Sequence, residues 1–208
     1  LSSPQIDWAE RGFSFGAAGP IDMRMDRRQE RSAADLLNGE SEQELARIFW
    51  EFGEERQSRR FAKAIVEQRK GKPFTTTKEL ADFIERLAPR RGKRTHPATL
   101  VFQALRIATN DELGSLRRGL EGALKILKPG GRLAVITFHS LEVQVLKDWG
   151  RERTRDYTFD GDVDVPELRR PRVAEMRWVQ RKAIQPGAAE MEANPRSRSA
   201  QLRVLGKN

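Results

Sequence analysis

The chain has 208 residues, 38% hydrophobic and 33% charged, which is enough for one large domain or two small ones with a modest core beneath a charged surface. A formal net charge of +9 favours a polyanionic partner, most often nucleic acid, although a merely soluble basic protein has the same balance. The lack of cysteine excludes disulfides and thiolate zinc sites, and no metal site is expected; no apolar run is long enough to span a bilayer and no secretory signal opens the chain, so the expected location is cytoplasmic, away from membranes.

In chain order, Leu1 to Asp26 is rich in Ser, Gly and Pro without a sustained period and reads mostly as loop. It carries Trp8, Phe13, Phe15, Met23 and Met25, too apolar for a solvated linker, so it is expected to pack over a site. Ser32 is placed to cap a helix ending near Asn38-Gly39. Ser41 with Glu44 fits a capping box, and Leu45, Ile48, Phe49 and Phe52 mark the buried face of a helix running to about Arg69, with Gly53 bending or interrupting it. Thr76 with Glu79 is a second capping box, opening a helix with Leu80, Phe83, Ile84 and Leu87 inward. A basic linker follows, and His96-Pro97 starts a helix reaching about Thr109, after which Asn110 is placed to cap the next one.

That next helix carries Leu113, Leu116, Leu120, Leu124 and Leu127 at three- and four-residue steps, and Pro129-Gly130-Gly131 ends it. Leu133 to Phe138 is an unalternating apolar run, the pattern of a strand covered on both faces. Leu141, Val145 and Trp149 continue as a helix; Arg151 to Arg172 reads as a long loop. Met176 to Ile184 and Ser199 to Leu205 read as strands, with a short helix at Ala188 to Ala193 between them. Helix, Gly-Gly stop and apolar strand make half of a βαβ unit, so the class is α/β, with the helices before it as an inserted module.

Two basic clusters fall in or just after that module. Arg56 to Lys72 holds seven basic residues and one acid, and Arg86 to Arg94 holds five and none. A solvated helix face usually mixes signs, so Arg56, Arg59, Arg60, Lys63, Arg90, Arg91 and Arg94 are candidate RNA contacts that position a backbone without reading sequence.

Five motifs stand in register: Ser2-Ser3-Pro4-Gln5 with Glu10 to Phe15, Gly19 to Asp26, His96 to Thr99 with Phe102 to Ile107, Thr137 to Glu142, and Asn194 to Ala200. In this order they closely resemble the RsmH (MraW) family, over nearly the whole chain apart from Arg151 to Arg172. The step Leu127 to Ile136 also resembles the entry into the fifth strand of class I S-adenosylmethionine (SAM) methyltransferases. The resemblance implies a Rossmann-like class I methyltransferase domain with an all-helical insertion, using SAM to methylate N4 of a cytidine in the decoding region of 16S rRNA, with the small ribosomal subunit as partner and a homodimer possible. It implies three segments: 1–26 after the fourth strand, 27–95 as the insertion, and 96–208 carrying strands five, six and seven. It further implies a domain truncated at its N-terminus, because no glycine-rich turn after a first strand and no ribose-binding acid are found here, and such a chain is expected to be inactive alone and prone to associate through an open sheet edge. The competing readings are an RNA-binding module without catalysis and a SAM enzyme acting on another nucleic acid.

Carried over residue by residue, the resemblance makes Gln5 a SAM contact, since an amide both donates and accepts. Ser2 and Ser3 occupy the loop facing the target amine, where hydroxyls or backbone carbonyls orient the NH₂, unless the loop is only a turn. His139, directly after the strand, is a candidate general base or a structural hydrogen-bond partner, and Glu142 stands beside it in the same motif. The family's Asp-Arg after that Glu is Val143-Gln144 here, so the role of that pair does not carry over. Asn194, Arg196 and Arg198 either hold substrate phosphate or brace the loop at Ser2.

Overall fold

The computed structural model describes residues 1–90 and 95–208. The chain packs as two units, Leu1–Glu112 and Leu113–Asn208. These do not coincide with the segments 1–26, 27–95 and 96–208, because the opening segment and the helix after His96 both pack into the first unit.

The first unit is helical. A short helix, α1 (Ser3–Asp7), and a single 3-10 turn at Ala9–Arg11 replace part of the expected loop. Then follow α2 (Ala33–Gly39), α3 (Glu42–Glu51), α4 (Ser58–Gly71), α5 (Thr77–Leu87) and α6 (Thr99–Asn110). The capping boxes at Ser32/Asp35 and Thr76/Glu79 form. At Ser41 only half forms: Ser41 Oγ accepts from Glu44 N–H, but the Glu44 carboxylate turns to Arg47, a charge-assisted bond that wins over the cap. The helix expected through Gly53 is broken outright into α3 and α4. Gly53 sits so close to Phe49 and Leu100 that a Cβ would lie 2.6 Å from the Leu100 carbonyl oxygen, and Glu54 follows at φ 53°. The close crossing of α3 and α6 requires that break.

The core of this unit gathers Leu37, Leu45, Ile48, Phe49, Phe61, Ile65, Leu80, Ile84, Val101, Phe102 and Leu105. Ile21 and Met23 from the opening segment are fully buried in it. That segment is pinned at several points. Thr77 Oγ1 donates to Ala17 C=O and accepts from Gly19 N–H. Phe15 stacks against His96 and Phe102 with ring centroids 4.7 and 4.8 Å apart. Asn110 does not cap the next helix: its Oδ1 accepts from Met25 N–H at 2.7 Å, and its Nδ2 donates to Met23 and Arg106 carbonyls at 2.7 and 2.9 Å. It ends α6 and braces the loop, satisfying two backbone groups that a turn at φ 57° for Met23 leaves without helical partners.

The second unit is mixed. After α7 (Glu112–Ile126) come β1 (Arg132–Thr137), α8 (Ser140–Thr154), β2 (Tyr157–Phe159), β3 (Arg169–Pro171), β4 (Met176–Trp178), α9 (Ala188–Ala193) and β5 (Gln201–Lys207). The sheet order is β1-β5-β4, with β5 antiparallel to both neighbours and Leu133 opposite Leu205. The outer side of β1 pairs with no strand among the described residues, as the family strand order implies. β1 is not covered on both faces, however. Leu133, Val135 and Thr137 face inward, while Ile136 is 58% exposed and Phe138, just beyond the strand, 52%. Its apolar run reports both faces, but only one is packed. Arg151 to Arg172 is not one loop: α8 extends to Thr154 and β2 with β3 form a hairpin. Arg155 lies over Tyr157 and Phe159, and Arg169 over Tyr157 at 4.3 Å. The second expected strand is ordered as β4 only to Trp178, with Ile184 making an isolated bridge to Leu202.

Candidate functional site

The candidate residues fall on both units, and each unit presents its own group. On the first, Ser2 is the N-cap of α1. Its Oγ accepts from Gln5 N–H and donates to Gln5 Oε1, which also accepts from Ser2 N–H at 2.7 Å. Pro4 at the helix start needs no N–H partner there. The pair is therefore a capping box: Ser2 Oγ and Gln5 Oε1 are occupied, while Gln5 Nε2 remains a donor with no partner among the described residues. Ser3 is exposed and its hydroxyl makes no hydrogen bond among the described residues. Of the two serines, Ser3 has the available side-chain oxygen.

The basic cluster lies on the same unit. Arg56, Arg59 and Lys63 are exposed and make no ion pair among the described residues. Arg60 is exposed but donates to Gln57 Oε1 and to the Leu87 carbonyl, closing the end of α5. Arg56, Arg59 and Arg60 line an open groove of about 920 Å³ together with Arg47 and Trp50. Arg47 is held between Glu44 and Glu51. Trp50 is 59% exposed. It was missed in the sequence, yet it lies off the Leu45-Ile48-Phe49-Phe52 stripe, which is the signal that it faces out. Arg90 pairs with Glu85, whose other oxygen lies 3.4 Å from His96 Nε2. Arg91 and Arg94 lie outside the described residues.

On the second unit His139 is the N-cap of α8. Its Nδ1 accepts from Glu142 N–H, and Glu142 Oε2 accepts from Phe138 N–H at 2.7 Å and from His139 N–H. An accepting Nδ1 places the neutral ring's proton on Nε2. That nitrogen is buried, 3.4 Å from Glu142 Oε1, without hydrogen-bond geometry to it. Burial pushes the Glu142 carboxyl up, but the His139 side chain and the Phe138 N–H outweigh it and hold it below its ordinary value. Ring and carboxylate thus cap the same helix end, His139 Nδ1 accepting from Glu142 N–H and Glu142 Oε2 from the two backbone N–H groups before it. Asn194, Arg196 and Arg198 lie at a 3-10 turn (Pro195–Ser199) anchored by buried Ser197, whose Oγ donates to Asn194 C=O; both arginines are exposed.

Over residues 1–208 the chain matches the family described as the MraW methylase family. It is 50% identical to the ribosomal RNA small subunit methyltransferase H of Paramagnetospirillum magneticum, an alignment covering 100% of this chain and 65% of that protein. A protein of the same name from Methylorubrum extorquens is 51% identical, over 98% of this chain and 58% of its own length. That from Symbiobacterium thermophilum is 48% identical, over 100% and 65%. The chain therefore spans 58–65% of the length of these curated relatives.

Proposed function

The chain belongs to the MraW methylase family, and on that premise we propose that it works in SAM-dependent methylation of the N4 amine of a cytidine in the decoding region of 16S rRNA. The observation that carries this reading is the match of the whole chain to that family, together with relatives near 50% identity named as small-subunit rRNA methyltransferases. The reading includes the small ribosomal subunit as partner, the cytoplasm as the place of work, and self-association through the open edge of β1. It also keeps the Rossmann-like class I fold with segment 27–95 as the helical insertion.

The residues fit a bound SAM in one respect. Gln5 Nε2 is a free amide donor suited to the carboxylate of an amino acid moiety, while Gln5 Oε1 is committed to Ser2. When bound, SAM supplies an electrophilic methyl group. A cytosine amine is a weak nucleophile because its lone pair is delocalised into the ring, so the protein's contribution is orientation. In this reading Ser3 Oγ and the backbone carbonyls beside it accept from the amine and fix its lone pair. His139 and Glu142 are positioning residues: their shared cap fixes the end of β1 and the start of α8. Arg196 and Arg198 meet substrate phosphate from the exposed turn.

RNA is held by the insertion. Arg56, Arg59 and Lys63, exposed and in no ion pair among the described residues, are the cations for the backbone, and Trp50, in the groove with Arg56 and Arg47, offers a face for one unstacked base, an interaction of about 1–3 kcal/mol. Arg60 and Arg90 add to these cations, and Arg91 and Arg94, outside the described residues, are kept as RNA contacts from the sequence alone. The target nucleotide is then extruded from its stack for reaction. The chain by itself is expected to be inactive, so the test sets it in a whole-length family protein in place of the matching part and follows transfer of labelled methyl groups from SAM to unmodified small subunits, naked 16S rRNA and DNA side by side. Transfer to the ribosomal substrates alone is expected; transfer to DNA at equal rate contradicts the assignment.

A further inference from the structure

The second unit carries a cationic niche that none of the proposed site residues enters. Lys147 and Arg151 stand four residues apart on α8 and so share one face, with Thr154 at the next turn. Arg203 reaches the same place from β5, Arg181 from the segment after β4, and Trp178 ends β4. These six side chains line a pocket of about 250 Å³. No carboxylate is among the lining residues. Asp148 pairs with Arg151 at 3.3 Å along the helix surface, with both partners more than half exposed, so it neutralises the niche poorly.

Two features show that the niche is a product of the fold. Trp178 lies over Gly150, where a Cβ would come within 2.3 Å of its Cζ2, so only glycine lets the indole settle against α8 and form one wall. Arg203 Nη1 donates to the Arg181 carbonyl, which ties the strand cation to the loop cation, and Arg203 Nε is buried without a hydrogen-bond partner among the described residues. Buried donors normally find acceptors, and guanidinium groups accept nothing in return. What carries the argument is the lining itself: four cations and no carboxylate, so the acceptor chemistry that the niche lacks is that of an anionic oxygen.

We propose that this niche binds a phosphodiester of the RNA substrate, as a second contact carried by the sheet-bearing unit. Arginine forks and a lysine point charge are the groups that hold phosphate. The volume admits a phosphodiester and lies below the roughly 300 Å³ at which pockets begin to enclose whole small molecules. The contact positions RNA without reading its sequence. It rests on the reading that the substrate is RNA.

The test is binding of the 208-residue chain to a 16S rRNA fragment over graded salt. Lys147 and Arg181 are exposed, so the double variant Lys147→Ala/Arg181→Ala is compared with the control Arg117→Ala/Lys128→Ala, which removes two exposed cations elsewhere on this unit. Because the two cations share one phosphodiester, the slope of log affinity against log salt is expected to fall by roughly 0.7 to 0.9 in the niche variant and by much less in the control. Wild-type affinity with an unchanged slope in the niche variant, or an equal fall in the control, overturns the niche alone. A wild-type chain without measurable RNA affinity overturns both the niche and the RNA reading. If the niche variant loses binding to polyglutamate while its RNA slope is unchanged, the ligand is an acidic protein, and the proposal is wrong.

Discussion

Asn110→Ala is expected to destabilise the helical unit substantially. Its side chain makes three hydrogen bonds to backbone, at 2.7, 2.7 and 2.9 Å. Two of them hold the carbonyl of fully buried Met23 and the N–H of partly buried Met25. Each such bond contributes about 0.5–1.5 kcal/mol net, and leaving buried partners unsatisfied adds to the loss, so about 3 kcal/mol is expected in all. For a protein of this size that corresponds to a fall in Tm of about 6–12 °C. Differential scanning calorimetry or circular dichroism melting reads the shift directly. Gln43→Ala, an exposed position on α3, serves as a control and should leave Tm unchanged. A fall of less than about 2 °C would refute the claim that Asn110 fixes the 20–25 loop.

Three further outcomes are expected. Replacing Arg56, Arg59 and Lys63 together by alanine should lower the salt slope of RNA binding by roughly 2.1 to 2.7, whereas Arg60→Ala should mainly lower thermal stability, because Arg60 is tied to Leu87. Glu142→Gln should cost stability at pH 7. Because the folded Glu142 carboxyl lies below its ordinary value of 4.5, its contribution is present above that value and lost as pH falls through the folded one, so the gap between variant and wild type should close in acid; a gap constant from pH 7 to pH 3 would contradict the cap. Ile136→Lys places a charge on the exposed face of β1 beside its open edge and should reduce self-association in analytical ultracentrifugation without lowering Tm.

The helices of the first unit were legible because their caps and apolar stripes are local: Ser32, Thr76 and the Leu45-Ile48-Phe49 stripe act within one or two turns. The break at Gly53 was not, since it depends on α6 crossing α3 more than forty residues later. Asn110 looked like a cap for the same reason; its true partners, Met23 and Met25, are far off in sequence. β1 showed its apolar content but not its single covered face, because an unalternating run is equally apolar on both sides. Among candidate site residues, Gln5 and Ser2 came from the family resemblance, and the capping box that occupies half of their polar atoms is visible in the Ser-x-x-Gln spacing. The basic cluster at Arg56 to Lys63 was legible as charge. That Trp50 faces out was legible from its place off the α3 stripe; which of the cluster's members is already tied down was not, since Arg60 is held by the distant Leu87 carbonyl. The niche of Lys147, Arg151, Arg181 and Arg203 could not be read at all, because three separate elements contribute to it.

The most direct test of the account is the identity of the modified nucleoside. Small ribosomal subunits lacking the modification are incubated with SAM and a whole-length family protein in which this chain replaces the matching part, the rRNA is digested to nucleosides, and the products are separated by mass spectrometry. The account predicts N4-methylcytidine as the new product, lost when Ser3 is replaced by a residue that blocks approach of the base and retained, at reduced yield, when Arg56 and Arg59 are replaced by alanine. A methyl group found on the ring carbon or the ribose, or on any base other than cytosine, would contradict it.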